Sequence, residues 1–327
     1  MTVPRIARLS AQRIVKMVAV ILAIAVTNFL LIHAAPGDPA SVIAGQSGAA
    51  DPQMLAQLRA QFGLDKPLTT QLAIYVGHVL QGDLGTSFRQ GRPVLGLILE
   101  RLPATLLLTG TAFVFAIAAG ITLGALAAQR VGRVADSLIT ILALGFYATP
   151  LFWVGLMLVL VFSVWLNWLP SFGMQTVGAD LHGWAAVVDI AQYLVLPALT
   201  LGLFYMAVYA RLTRASMLEV ASQDFVRTAR AKGVPEGRIL RRHILRNALL
   251  PVITFAGIQA GQLIGGSILV ETVFAWPGIG RLAFDALLAR DYQVLLGVFL
   301  VTSILVVLFN LLTDLLYAVI DPRVQAA

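Results

Sequence analysis

Six apolar runs, each long enough to cross a lipid bilayer, leave this chain few ways to fold. They cover residues 15–35, 104–128, 137–168, 191–210, 252–273 and 292–320. A hydrocarbon core of about 30 Å takes about 20 helical residues to cross. Within it each backbone polar group must be paired internally, which a helix achieves. The expected fold class is therefore an all-α membrane protein with six transmembrane helices. Composition agrees: 59% of the 327 residues are hydrophobic and 12% are charged, with a mean hydropathy of +0.86. Soluble domains carry about 25% charged residues. With no cysteine, the chain has neither disulfides nor thiolate metal sites.

The segments between the runs are mostly short. Residues 1–14 form a basic N-terminal segment, and the run at 15–35 follows as the first span. A signal peptide is the competing reading of this end. Its apolar core would be shorter, and His33 stands where a small residue precedes a cleavage site. Residues 36–101 form an external loop, opened by the helix-breaking Pro36-Gly37-Asp38-Pro39, with helical periodicity at 54–61 and Leu68–Leu80. His78 and Asp83 are close in that loop, but one histidine and one carboxylate do not make a metal site.

In the second span Ala112, Ala116, Gly120, Gly124 and Ala128 recur every four residues and form a smooth face for another helix. The third run, 137–168, would be about 48 Å long as a helix and contains Pro150. It fits one kinked span or two short ones, and charge decides between them. Two crossings would place the N-terminal basic residues opposite the most basic loop; one crossing puts both inside. One span bent near Pro150 is expected. Under that topology both termini are cytoplasmic, with 16 of the 23 Lys and Arg residues inside and seven outside. Residues 169–189 and 274–291 are then the second and third external loops.

The most polar long stretch, residues 211–250, lies between spans four and five and holds nine basic residues, from Arg211 to Arg246. Leu218, Ala221, Phe225 and Ala229, then Ile239, Leu240, Ile244 and Leu245, recur at helical spacing. Two amphipathic helices are expected, the first ended by Gly233 with Lys232 in its last turn, the second with Pro235 in its first turn. Pro251 should open the next apolar run. A basic helix–turn–helix here either lies on anionic headgroups or docks a soluble partner.

The residues RTARAKG at 227–233 and RHILRNALLP at 242–251 resemble the cytoplasmic EAA loop of permease subunits in binding-protein-dependent ABC importers, closest to the dipeptide/oligopeptide and nickel branch. The Glu-Ala-Ala triplet itself reads Arg227-Thr228-Ala229, so only its last position matches. HAAPGDPA, GDLGTSFRQGRPV, VETVFAWPGIG and NLLTDLLYAVIDPR resemble the same family, so the likeness runs from about residue 29 to 323. It implies the type I importer permease fold in a bacterial inner membrane. It also implies a second homologous permease, two cytoplasmic ABC ATPases that hold ATP and magnesium, and a periplasmic or lipoprotein solute-binding protein. The coupling helix would use Phe225, Arg227, Thr228, Ala229, Lys232 and Gly233, and the Gly257, Gly261 and Gly265 face of span five would serve the pathway or central interface. Peptide is the cargo this branch most often implies, with nickel chelates, glutathione-like conjugates and some sugars as alternatives.

No phosphate-binding GxxxxGK[ST], HExxH, GxSxG or Cys/His cluster occurs, and nothing pairs a nucleophile with a base. The expectation is a non-enzyme with no cofactor, no metal and no nucleic-acid partner. Glu271 and Asp314 are the acidic residues in the spans, as pathway groups or as partners of nearby cations. A stand-alone secondary carrier or channel is the rival reading; an intramembrane enzyme has no motif to support it.

Overall fold

A computed structural model describes residues 18–30 and 65–320, apart from the side chains of residues 262–264, 266, 312 and 314–320. The described chain is helical: α1 (Val18–Leu30), α2 (Leu68–Leu80), α3 (Val94–Gln129), α4 (Val134–Ala148), α5 (Leu151–Leu158), α6 (Trp184–Ala221), α7 (Asp224–Ala231), α8 (Glu236–Arg238), α9 (Arg246–Gly266), α10 (Ile268–Val273), α11 (Ile279–Leu288) and α12 (Tyr292–Ile320). π-Helical turns, Val159–Trp165 and Ile239–Leu245, continue α5 and join α8 to α9. Among the described residues four helical stretches are long and apolar enough to cross a membrane, and the α4–α5 pair is a fifth if it counts as one span. The expected first span is described only over α1, and the predicted helix at 54–61 lies outside the described residues, as do residues 1–14.

Several boundaries differ from the hydropathy reading. Helix α3 starts at Val94, ten residues before the expected start of the second span, and Pro103 lies inside it. Helix α6 starts at Trp184 and runs to Ala221, taking in Arg211 and Arg214, which the sequence placed in the basic loop. Helix α9 carries Pro251 in its interior, and the break in span five falls at Ser267 instead. Residues 274–291, expected as a loop, contain α11. In α6 the charged Arg211 and Arg214 continue a helix that apolar residues began, because nothing nearby removes its hydrogen bonds. A proline removes only one. At Pro150 the helix axis turns by 108°, so α4 and α5 form a broken helix rather than a gently kinked rod. Thr149 and Pro150 both have extended ψ there.

The chain divides into two units, residues 1–103 with 282–307, and 104–281 with 308–327. In the first, Phe29 packs on Tyr75 with ring centroids 5.8 Å apart. The Ser87 hydroxyl donates to Asp291 across 2.5 Å and fastens the tight turn at 85–93 to the start of α12. Arg92 pairs with Glu100.

In the second unit the core is built from Leu108, Ala112 and Ala116 of α3, Leu201 and Tyr209 of α6, Val252 of α9, and Phe274 and Trp276. The small-residue face of α3 meets α6 backbone to backbone. A Cβ on Gly120 would lie 2.5 Å from Tyr209 Cβ, and one on Gly124 would lie 2.5 Å from the Ala210 carbonyl oxygen. A separate small core joins Met217 of α6 to Val226, Ala229, Ile239, Ile244 and Ala248.

Candidate functional site

Helix α7 is short, and its shape is set by its ends. Gln223 precedes it in extended conformation, and Asp224 places a carboxylate in its first turn, where the helix dipole favours negative charge. Gly233 takes φ +73°, its N–H donating to the Arg230 carbonyl at 2.9 Å while the Val234 N–H donates to Ala229 at 3.2 Å. Those two bonds make a complete Schellman motif, which needs a left-handed residue where glycine stands. The sequence placed this stop correctly. Lys232 is the capping residue, just beyond the last turn, and Pro235 precedes the second helix instead of opening it.

The buried face of α7 is Val226 and Ala229, packed against Ile239 and Ile244 of the π-helical turn. Phe225 does not belong to it: it is 41% exposed and points away from the small core. The predicted stripe of Leu218, Ala221, Phe225 and Ala229 is therefore corrected at Phe225. The break at Ser222–Gln223 resets the helical phase, and periodicity counted across it cannot see that. Of the six residues expected to couple, Phe225, Arg227, Thr228, Lys232 and Gly233 are exposed and Ala229 is packed beneath them. Arg230 donates to Glu236 at 2.8 Å and closes the elbow between the two helices. Arg227 lies 3.5 Å from Asp224. Lys232, Arg238, Arg241 and Arg242 are exposed too, so the elbow presents a cationic surface around one aromatic ring.

Beneath this elbow, Arg214 of α6 grips Asp136 with both nitrogens, Nε at 2.6 Å and Nη2 at 2.9 Å. Asp136 also accepts the Gly132 N–H at 3.1 Å. The Arg214 hydrogen bonds hold the Asp136 carboxyl below its ordinary range, and the same contact raises the guanidinium. The pair ties the α3–α4 turn to α6. Sequence reasoning missed it because 78 residues separate the partners and nothing local marks them.

The expected glycine face of α9 is not one contact. Gly257 abuts Thr313 of α12, where a Cβ would lie 2.0 Å from the threonine methyl, and the Thr313 hydroxyl donates to the Gly257 carbonyl at 3.1 Å. Gly261 is buried, and Gly265 faces open space. Glu271 is fully buried and bonded by Thr105, Ser267 and the Arg281 N–H. Asp314 lies in the backbone of α12, but its side chain is outside the described residues. His78 and Asp83, 3.1 Å apart, are an exposed pair. Among the described residues no three metal-ligating side chains gather.

Residues 120–326 match the family model described as "Binding-protein-dependent transport system inner membrane component", and residues 6–109 match that of the corresponding N-terminal region. The chain is 41% identical to the dipeptide transport system permease protein DppB of Escherichia coli (strain K12), covering 96% of this chain and 97% of that one. It is 45% identical to the glutathione transport system permease protein GsiC of Salmonella typhimurium, with the same coverage. In three dimensions it is similar to a chain of the MetNI methionine ABC transporter in inward-facing conformations. The TM-score is 0.54 at 20% identity, over 69% of this chain and 97% of that one, a likeness of fold alone. The chain belongs to the family of inner-membrane components of binding-protein-dependent transport systems.

Proposed function

We propose that this chain is the permease subunit of an ATP-driven importer for di- or oligopeptides, and that the α7 elbow is its mechanical input. The observation that carries the reading is the build of that elbow. Phe225, Arg227 and Thr228 stand on an exposed face, while Val226 and Ala229 anchor the opposite face to the base of α6 and α9. A helix with an apolar root and a solvent-facing aromatic and cationic crown is a lever, because force on the crown passes through packed side chains to the spans. The Arg230–Glu236 contact and the Schellman turn keep it from bending on its own. The partners are then two cytoplasmic ABC ATPases holding ATP and magnesium, a second homologous permease, and a periplasmic or lipoprotein solute-binding protein. Both termini and the elbow lie on the cytoplasmic side. The peptide cargo is supported by the names of the relatives, one a dipeptide and one a glutathione permease.

Phe225→Asp and Gly233→Leu test this. In the assembled complex both are expected to lose ATPase co-purification or to uncouple hydrolysis from uptake, with the spans still folded. Normal ATPase binding together with normal uptake in both variants would overturn the lever. Solute movement by the purified chain alone in liposomes, without ATP, would favour a stand-alone carrier instead.

A further inference from the structure

The buried carboxylate of Glu271 plays no part in the lever. We infer that it is a positioning residue of the transport cycle, fastening the α10–α11 turn to α3 at Ala104 and Thr105, so that these pieces move as one body. The inference rests on the importer reading, since it concerns the movement that reading requires.

A carboxylate that met solute or ion in a pathway would have free acceptor sites and an approach route. Glu271 is 0% exposed, and its oxygens are already engaged. Oε1 accepts from the Thr105 hydroxyl at 2.8 Å and the Ser267 hydroxyl at 2.9 Å, and Oε2 from the Arg281 N–H at 2.9 Å. The Thr105 hydroxyl also accepts the Ile279 N–H at 2.8 Å, so its single proton is directed at Glu271. One residue before Thr105, the Ala104 carbonyl receives the Trp276 indole N–H at 2.8 Å. Ser267 opens α10, and Ile279 and Arg281 lie in the first turn of α11, where unpaired amides and the helix dipole favour an anion.

Two glycines make room for this arrangement. A Cβ on Gly278 would lie 2.3 Å from the Glu271 carboxyl carbon, and one on Gly280 would lie 2.8 Å from Ile268 Cα and 2.9 Å from Glu271 Oε2. The turn is thus shaped around the carboxylate. An amide in its place would aim an N–H₂ donor at groups that can only donate or are already committed as donors.

The test uses the complete complex of this chain, its partner permease and ATPases in liposomes, with and without the binding protein. The readout is the ratio of binding-protein-stimulated to basal ATP hydrolysis per assembled complex, with uptake of labelled dialanine and glutathione beside it. A wild-type complex with neither stimulation nor ATP-dependent uptake would sink the importer reading itself. With that control in hand, Glu271→Gln is expected to cut stimulation and uptake at least tenfold, while ATPase co-purification and basal hydrolysis stay within twofold. Glu271→Asp, which keeps the acceptor, should recover part of the loss. Thr105→Val should reproduce it and Thr105→Ser should not. The Glu271→Gln/Thr105→Val double variant should be no worse than either single change, since both undo one joint. Wild-type stimulation and uptake per complex in Thr105→Val, or losses that multiply in the double variant, would overturn the inference. Should Glu271→Gln fail to assemble, the two Thr105 variants decide alone.

Discussion

A methyl group on Gly124 would sit 2.5 Å from the Ala210 carbonyl oxygen and 2.7 Å from Thr213 Cβ, so α3 and α6 could not keep their spacing. Gly237, in the elbow, has nothing within 4 Å of the same position. The two glycines should answer oppositely to alanine. Gly124→Ala is expected to destabilise the unit by about 1–3 kcal/mol through overpacking. Gly237→Ala should be neutral or stabilising by up to about 1 kcal/mol, because it removes backbone freedom from a helical position. Thermal melting of the purified complex would distinguish them; equal shifts would mean that the α3–α6 contact is not this close. The four-residue spacing of small residues in α3 marked its packing face in advance. The partner could not be read: Gly120 and Gly124 meet Tyr209, Ala210 and Thr213 of α6, and nothing local to α3 names that helix.

Between elements, the Asp136–Arg214 pair fastens the α3–α4 turn to the helix that carries the elbow. Its pH dependence follows from the depressed carboxyl. A group whose folded pKa lies below its unfolded value contributes stability above the unfolded value, about 3.9 for aspartate, and loses it as pH falls toward the folded one. Wild type should therefore lose melting temperature on acidification below about pH 4. Asp136→Asn should start lower at neutral pH and show a flatter acid limb. Parallel acid limbs in the two proteins would show that other carboxylates govern the response. Element existence was largely legible: the runs in α3, α6, α9 and α12, the stop at Gly233 and the break at Pro150 all have local causes. Their lengths were not, because Arg211 and Arg214 are charged yet extend a helix begun by apolar neighbours, and the mostly apolar stretch 94–99 joins α3 across Glu100, Arg101 and Pro103.

For the molecule as a whole, the positive-inside rule predicts a cytoplasmic elbow and an external turn at 85–93. The chain has no cysteine, so single cysteines report without background. Cysteines at Gln223 and Arg89, both exposed, should react with an impermeant maleimide from opposite sides: Gln223 only in inverted vesicles, Arg89 only in right-side-out ones. Labelling of Gln223 from the outside would reverse the topology and remove the lever from its motor.

The amino-acid sequence by itself determined the helical class, the family and the basic elbow. These depend on the length of uninterrupted apolar runs and on residues that act within a turn or two of one another. Only the tertiary structure decided which side chains meet. It sent Phe225 outward, placed Gly257 against Thr313, and enclosed Glu271 among donors that include one 166 residues away. The physical reason is range: helix formation is governed by hydrogen bonds four residues apart, whereas contacts between helices depend on how whole cylinders cross, which no local pattern records.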